Sequence, residues 1–266
     1  MLETENFTIY DIDEARFKGI YGSDFNTNIA MNCEMANIWH RQGMSTNDVA
    51  INYFKGGFQS FNRLSEVITS CGKGLHKLNS FLDFASGYGR TTRFFLQKMD
   101  SSRITVSDIS KEAVKYQQET FGVDGFASCL IPEDLFVDKR FEVIVVNSLF
   151  SHLNYDQWSR WLIKLYELLD TNGHLIFSTH GYSRFKNRKE ALRKEMLINA
   201  PEKGFMFTAK NETRGRLDAN IYGITYVLKE WVQKTVEDNN LGQYVNSFHP
   251  MHGFMGGQDI YVIKKV

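Results

Sequence analysis

Residues 81–90 read Phe-Leu-Asp-Phe-Ala-Ser-Gly-Tyr-Gly-Arg, and this stretch is the strongest indication of fold class in the chain. An apolar run that carries one carboxylate, Asp83, is followed by small residues and then, from Thr91, by a helical pattern. This order predicts a strand, a tight turn and a helix, which together bring the backbone close to a ligand at the helix start. Gly87 and Gly89 supply the backbone freedom and the absent side chain that such an approach requires.

A second carboxylate, Asp108, ends the next strand-like run, residues 104–107. The tips of adjacent parallel strands in a βαβ unit lie side by side. An acid at the second tip can therefore accept hydrogen bonds from a ribose that lies over the first turn. Two nucleotide-type cofactors are bound in this way, a nicotinamide dinucleotide and S-adenosylmethionine.

These two cofactors make different demands on the glycine-rich turn. A dinucleotide site requires a third glycine in the pattern Gly-x-Gly-x-x-Gly, and Thr92 stands at that position. Asp83, just before the turn, is well placed to interact with a cationic amino group, directly or through water. The residues therefore favour S-adenosylmethionine, with a nicotinamide cofactor as the alternative.

The segment Asp83-Phe84-Ala85-Ser86-Gly87-Tyr88-Gly89 resembles the Asp-x-Gly-x-Gly-x-Gly loop of the class I S-adenosylmethionine-dependent methyltransferases. Ala85 replaces the first glycine of that pattern, and Asp108 matches the ribose-binding acid of the family. The resemblance covers roughly residues 75–180 well and the C-terminal strands loosely.

The resemblance implies a cofactor site formed by several short segments. Ile109 would pack against adenine, and Asn147, at the end of a later strand, would hydrogen-bond the tail of the cofactor. Ser128 and Cys129 fall where the adenine-contacting loop of the family lies, although the acid usual there is absent. The full implied set is Asp83, Ala85, Ser86, Gly87, Tyr88, Gly89, Asp108, Ile109, Ser128, Cys129, Asn147 and Ser148.

Two histidines are candidates for catalytic work. Methyl transfer needs the acceptor atom held in line with the methyl group, and a hydroxyl acceptor also needs a base. His152 follows the predicted strand at 142–147 and could be that base; a histidine bonded to backbone at a helix start is the alternative. His180 ends the predicted strand at 174–179, at the same edge of the sheet, and could contact the acceptor.

Composition and charge exclude several classes of function. The chain has 266 residues with 31 basic and 31 acidic side chains, which argues against nucleic acid bound through bulk charge. It has no long apolar run and no secretory signal pattern, so no membrane partner is expected. Three widely spaced cysteines predict a reducing cytoplasm, and His249, His252 and Asp259 lack a diagnostic metal-ligand spacing, so no metal is expected.

The order of predicted elements gives the domain organisation. Residues 1–74 should form an N-terminal extension with helices over the cofactor mouth, including a short helix that ends at Gly56-Gly57, and residues 75–266 the Rossmann-like domain. A basic segment at about 181–225 interrupts the alternation and predicts a substrate lid, with a solvated helix face as the alternative. Strands are expected at 81–84, 103–107, 142–147, 174–179, 244–248 and 258–264, and helices at 90–99, 110–121, 154–170 and 226–240.

The sequence therefore predicts an α/β fold with a Rossmann-like doubly wound sheet, mostly parallel with an antiparallel last strand. The expected function is S-adenosylmethionine-dependent methylation of a hydroxyl or amine on a small molecule. That acceptor would be sugar-, lipid- or metabolite-like and could carry an anionic group. An NAD(P)-dependent oxidoreductase and a non-catalytic partner protein of the same fold are the alternatives, and the oligomeric state is left open.

Overall fold

The computed structural model describes residues 10–181, Arg184, 204–210, 216–248 and 257–266. The chain divides into two compact units, which are described one at a time. The first unit comprises Met1–Leu78 and Ser86–Ser128, and the second comprises Asn79–Ala85 and Cys129–Val266. The predicted domain boundary between residues 74 and 75 stays a prediction.

Three helices open the first unit: α1 (Glu14–Tyr21), α2 (Glu34–Arg41) and α3 (Thr46–Ser70). α3 begins where the Ser45 side chain accepts a hydrogen bond from the Asp48 amide, which satisfies one of the free N–H groups of the first turn. Its 25 residues bury one apolar side, including Tyr53, Phe54 and Leu64. No helix among the described residues combines the length and the apolar character that crossing a membrane requires.

The predicted helix end at Gly56-Gly57 is wrong, because α3 continues through both glycines. A Cβ atom on Gly57 would overlap the carbonyl oxygen of Arg90 and would lie 2.8 Å from Phe94 Cε2. The glycine at this position therefore allows a close approach of two backbones and does not interrupt the helix.

The remainder of the first unit is the short α4 (Thr92–Phe95), β2 (Ile104–Asp108), α5 (Lys111–Phe121) and β3 (Asp124–Ala127). β2 and β3 pair in parallel, with Asp108 opposite Ala127. α5 has the predicted ends, since Ser110 caps its first turn and Gly122 follows its last residue. β3 was not predicted from its Asp-Gly-Phe-Ala sequence, which carries little strand propensity of its own and is stabilised by pairing with β2.

In the second unit, five strands form one sheet in the order β1, β4, β5, β9, β8. β1, β4 and β5 are parallel, whereas β9 runs antiparallel to both β5 and β8. β1 and β4 are composed largely of buried apolar residues, as expected for strands covered on both faces. The bounds are β1 Phe81–Phe84, β4 Phe141–Val146, β5 Leu169–Thr179, β8 Gln243–Phe248 and β9 Asp259–Lys264.

Two helices and a small sheet complete the described part of this unit. α6 (Tyr155–Glu167) begins after Asn154, whose side chain accepts from the Gln157 amide as predicted, and α7 covers Lys229–Asp238. The predicted helix at 226–240 starts too early. Residues Ile224–Val227 are strand β7, which pairs antiparallel with β6 (Phe205–Thr208), and this pairing outweighs the local helical pattern.

Part of the predicted basic lid and of the histidine-containing loop lies outside the described residues. This applies to Lys186, Arg188, Lys189, Arg193 and Lys194, and to His249 and His252.

Candidate functional site

The glycine turn of the first unit connects directly to the tip of β2. The Ser86 amide donates to the Ser107 carbonyl oxygen at 3.0 Å, and the Gly89 amide donates to the Ser86 carbonyl oxygen at 3.1 Å. Gly87 and Gly89 have φ values of +57° and +71°, in the left-handed region that favours glycine. A Cβ atom on Gly87 would meet nothing within 4 Å, so this face of the turn is open to a ligand.

Asp108 ties the turn to the second strand tip. Its Oδ2 accepts from the Gly87 amide at 2.8 Å, and its Oδ1 accepts from the Ser110 amide at 2.9 Å. Burial raises the pKa of this carboxyl above its usual value, while the amide donors act in the opposite direction. A carboxylate beside an open glycine turn fits a ribose, because each of its oxygens can accept more than one hydrogen bond.

Gln117 supports the glycine turn and was missed at the sequence level. From the buried side of α5, its Nε2 donates to Ser86 Oγ and to the Gly87 carbonyl oxygen, both at 2.8 Å. Its Oε1 would lie 2.7 Å from a Cβ atom on Gly89, so an alanine there has no room. Gln117 lies one helical turn after Ala113 and Val114, on the apolar side of the predicted helix. A polar side chain at such a position needs buried hydrogen-bond partners, and this pattern could have identified it.

The other predicted cofactor residues of the first unit differ in their surroundings. The Tyr88 side chain is buried and packs edge-on against Tyr116, with ring centroids 5.5 Å apart, so only its backbone belongs to the turn. Ile109 is 38% exposed, which leaves an apolar surface beside Asp108. The Ser128 amide donates to the Asp108 carbonyl oxygen at 2.9 Å.

Of the five predicted cofactor residues in the second unit, three lie near the ends of its two chain segments. Asp83 is buried in β1, opposite Val145 of β4. Ala85 adopts a φ of +58°, so the residue that replaces the first glycine of the family pattern retains a glycine-like conformation. Cys129 Sγ donates to the Ile131 carbonyl oxygen at 3.0 Å, and burial raises the pKa of its thiol.

The residues after β4 are held by a buried polar network. Ser148 has a φ of +72°, and its amide donates to Ser178 Oγ at 2.9 Å. Gln258 Nε2 donates to Ser148 Oγ at 2.8 Å, and Gln258 Oε1 accepts from Ser178 Oγ at 2.7 Å. Ser178 Oγ also lies 3.4 Å from Asn147 Oδ1. The network fixes the backbone on which Asn147 and Ser148 are presented.

Two histidines of the second unit are held by backbone carbonyls of one segment. His152 Nδ1 lies 2.8 Å from the Gly223 carbonyl oxygen, and His180 Nδ1 lies 3.1 Å from the Thr225 carbonyl oxygen. A carbonyl oxygen only accepts, so each neutral ring carries its proton on Nδ1 and its lone pair on Nε2. The structure therefore brings the two predicted catalytic residues together, with ring centroids 6.2 Å apart.

The segment 222–226 that holds this histidine pair overlaps the end of the predicted substrate lid at about 181–225, but the sequence did not connect it with the two histidines. The Tyr222 ring stacks on His152 at a centroid distance of 4.7 Å and an interplanar angle of 8°. The Gly223 amide donates to the His152 carbonyl oxygen at 2.7 Å, so His152 is fixed through both its ring and its backbone. The Tyr226 ring lies 5.3 Å from that of His180. Tyr222 and Gly223 are about 70 residues from His152 in sequence, and no local pattern connects them.

The part of the chain that carries the glycine turn is similar to a known protein family. A family described as a methyltransferase domain matches residues 82–175, which include the glycine turn, Asp108 and β4. Malonyl-(acyl-carrier protein) O-methyltransferase 1 of Ilyobacter polytropus is 27% identical over 121 residues, 45% of this chain and 44% of that protein. The corresponding Bacillus cytotoxicus enzyme is 30% identical over 114 residues, 42% of this chain and 39% of the relative. The matches thus span less than half of either relative.

Solved structures share the fold at low sequence identity. The magnesium protoporphyrin IX methyltransferase of Synechocystis PCC 6803 superposes with a TM-score of 0.56 at 16% identity, over 86% of this chain and 94% of that one. An S-adenosylmethionine-dependent methyltransferase of Clostridium acetobutylicum gives a TM-score of 0.53 at 12% identity, over 94% and 98% of the two chains. These likenesses confirm the predicted Rossmann-like fold. Residues 82–175 thus match a methyltransferase domain, and the solved structures that share the fold include an S-adenosylmethionine-dependent methyltransferase.

Proposed function

We propose that this protein transfers a methyl group from S-adenosylmethionine to a hydroxyl or amine of a small molecule. The observation that carries the proposal is the hydrogen bond from the Gly87 amide to Asp108, which joins an open glycine turn to an acid at the next strand tip. Both residues lie inside the matched methyltransferase domain. This combination supports a nucleoside cofactor whose ribose is bound by Asp108.

The roles of the individual residues in cofactor binding follow from the sequence resemblance. The turn at 86–89 and Asp108 would bind the ribose side, and Ile109 would cover the adenine. Asp83 would interact with the amino group of the methionine part, and Asn147 and Ser148 with its carboxylate end. When bound, S-adenosylmethionine supplies a methyl group on a cationic sulfur, which makes that carbon electrophilic.

The histidine pair supports a hydroxyl acceptor over an amine. Each ring is held with its Nδ1 proton on a backbone carbonyl, which makes Nε2 the nitrogen able to take a proton. A hydroxyl oxygen becomes a good nucleophile only as it loses its proton, whereas the lone pair of a free amine is nucleophilic before any proton is lost. His152, the less buried of the two, would take that proton, and His180 would orient the acceptor beside it.

The curated relatives are consistent with an oxygen acceptor, since they are named as O-methyltransferases. Their names do not transfer to the substrate of this chain, because the matched part covers less than half of each relative. An anionic group on the acceptor remains part of the proposal from the sequence, through the basic residues between positions 184 and 194.

Calorimetric titration with S-adenosylhomocysteine and with NADH tests the cofactor assignment. We expect binding of the first and not of the second, and a loss of about 10- to 100-fold in affinity in Asp108→Ala, because a charged hydrogen-bond acceptor is removed. Asp124→Ala, which removes an exposed carboxylate at the start of β3, is the matched control and should bind normally. Normal affinity in Asp108→Ala would contradict the proposal.

A transfer assay tests the reaction itself. The wild-type protein is incubated with S-adenosylmethionine that carries a labelled methyl group and with panels of small hydroxyl and amine acceptors. Label in a hydroxyl product supports the preferred acceptor, and label in an amine product supports the broader proposal alone. Binding of S-adenosylhomocysteine without transfer to any acceptor would instead favour a non-catalytic protein of the same fold.

A further inference from the structure

Arg93 is a buried cation next to the glycine turn that the proposed reaction does not use. It lies on α4 and is only 2% exposed. Its Nε donates to the Gly89 carbonyl oxygen at 3.2 Å, so the side chain contacts the last residue of the turn. Its Nη1 donates to the carbonyl oxygens of Asn26 and Asn28, both at 2.9 Å. One guanidinium therefore joins the turn to a segment more than 60 residues earlier in the chain.

The surroundings of Arg93 compensate its charge without a carboxylate. Its Cζ lies 5.3 Å from the ring centroids of Tyr53, Phe54 and Phe121, at distances suited to cation–π attraction. No acidic side chain among the described residues forms an ion pair with it. Burying a cation in this way is costly, and an apolar side chain of similar volume would fill the same space more cheaply. What an arginine provides here, and an apolar side chain would not, is hydrogen bonds to three backbone carbonyl groups.

The segment 26–28 is held at further points by α5. Tyr116 Oη donates to the Asn28 carbonyl oxygen at 2.8 Å, so this oxygen receives two donors. Asn26 Nδ2 donates to the Thr120 carbonyl oxygen at 3.3 Å. α5 also carries Gln117, which donates hydrogen bonds to Ser86 and Gly87 of the turn. The N-terminal segment and the glycine turn are therefore anchored to the same two helices, α4 and α5.

We infer that Arg93 is a positioning residue that couples the N-terminal segment 26–28 to the cofactor-binding turn. The inference rests on the proposed function, since it assumes that the turn at 86–89 binds S-adenosylmethionine. An ordered segment holds Arg93 in place, Arg93 holds the Gly89 carbonyl, and the turn keeps the shape that the cofactor requires. Because coupling between two sites is reciprocal, cofactor binding at the turn must also order the segment.

Two measurements on the full chain test this coupling. The first is the affinity for S-adenosylhomocysteine in Arg93→Met, Arg93→Lys and Tyr116→Phe. We expect a loss of about tenfold in Arg93→Met, as is typical of such coupling, and incomplete rescue by lysine, which cannot span three carbonyls. Tyr116→Phe leaves the Gly89 contact intact and removes the hydroxyl that donates to the Asn28 carbonyl oxygen, so a smaller loss, about threefold, is expected there.

The second measurement is amide hydrogen exchange in peptides covering residues 24–31, with and without S-adenosylhomocysteine. In the wild-type protein the ligand should slow exchange in this segment, and in Arg93→Met that protection should be lost. A merely structural role for Arg93 would lower the melting temperature without removing the ligand-dependent protection.

The outcomes that would contradict the coupling through Arg93 differ from the one that would contradict the proposed function. If the wild-type protein binds S-adenosylhomocysteine but its segment 24–31 shows no protection, or if Tyr116→Phe speeds exchange there without any loss of affinity, the coupling is absent. These two results remain decisive even if Arg93→Met fails to fold. If the wild-type protein does not bind S-adenosylhomocysteine at all, the proposed function itself fails.

Discussion

The glycine turn of the first unit and the histidine pair of the second are stabilised by contacts of very different sequence separation. The carboxylate that holds the turn, Asp108, is 21 residues from Gly87, within one strand–helix–strand unit. The carbonyl groups that hold His152 and His180 are 71 and 45 residues away. A candidate site built from one local unit can be identified from a short motif, whereas one assembled by distant segments cannot.

In both regions the side chains form hydrogen bonds with the backbone, but the donor and the acceptor are exchanged. At the turn, backbone amides donate to a side-chain carboxylate. At the histidine pair, side-chain N–H groups donate to backbone carbonyls. The first arrangement presents carboxylate oxygens that can accept from hydroxyl groups, and the second sets the lone pair on Nε2 of each neutral ring. The difference predicts that the two regions control binding and turnover separately.

Replacing His152 should separate turnover from cofactor binding more strongly than any other change. In His152→Ala we expect kcat for a hydroxyl acceptor to fall by about 10²- to 10⁴-fold, because proton transfer from the acceptor is lost. The affinity for S-adenosylhomocysteine, measured by calorimetry, should stay within about twofold of wild type. His76→Ala, an exposed histidine of the first unit, is the matched control and should leave both quantities unchanged. A kcat that survives in His152→Ala would remove this residue from the mechanism.

Alanine at the two glycines of the turn should give unequal losses of stability. Gly89→Ala places a Cβ atom 2.7 Å from Gln117 Oε1 at a φ of +71°, so we expect the free energy of unfolding to fall by about 3 kcal/mol. Gly87→Ala meets open space at a similar φ and should cost only about 1 kcal/mol. Urea denaturation of the ligand-free variants measures both values. Equal losses would show that the crowding around Gly89 does not matter.

The smallest effect is expected at Ala85, which directly precedes the turn. Its φ of +58° is unfavourable for any residue with a Cβ atom, so Ala85→Gly should raise the free energy of unfolding by about 0.5–1 kcal/mol. Urea denaturation tests this against Ala127→Gly in β3, where the same change should destabilise, since φ is not positive there. A destabilised Ala85→Gly would show that packing of the methyl group outweighs backbone strain.

Local patterns predicted much of the fold and of the geometry of the candidate site. β1 was predicted with its observed bounds, and Ser110 and Asn154 were identified as helix caps, because each signal lies within a few residues. Asp108 was predicted as the acid at the second strand tip, and the structure places it in contact with the turn. Its contact with an actual ribose stays a prediction.

The remaining features depend on tertiary contacts that one segment does not reveal. The second half of β7 was predicted as the start of a helix, because its pairing partner, β6, lies about 20 residues earlier and no local pattern links the two. Gln258 was not assigned to the site because it supports Ser148 from 110 residues away. Arg93 was passed over as part of a helical pattern, since nothing near it in sequence indicates the carbonyls of Asn26 and Asn28.

The passage of α3 through Gly56 and Gly57 has a consequence for protein engineering. Standard thermostabilisation would replace both glycines with alanine, which normally favours an exposed helix by about 0.5–1 kcal/mol per position. Position 57 does not follow that rule, because an added methyl group would push against the Arg90 carbonyl, one residue after the cofactor turn. A variant library designed from helix propensity alone would thus disturb the backbone beside the glycine turn from a helix that carries none of the predicted site residues.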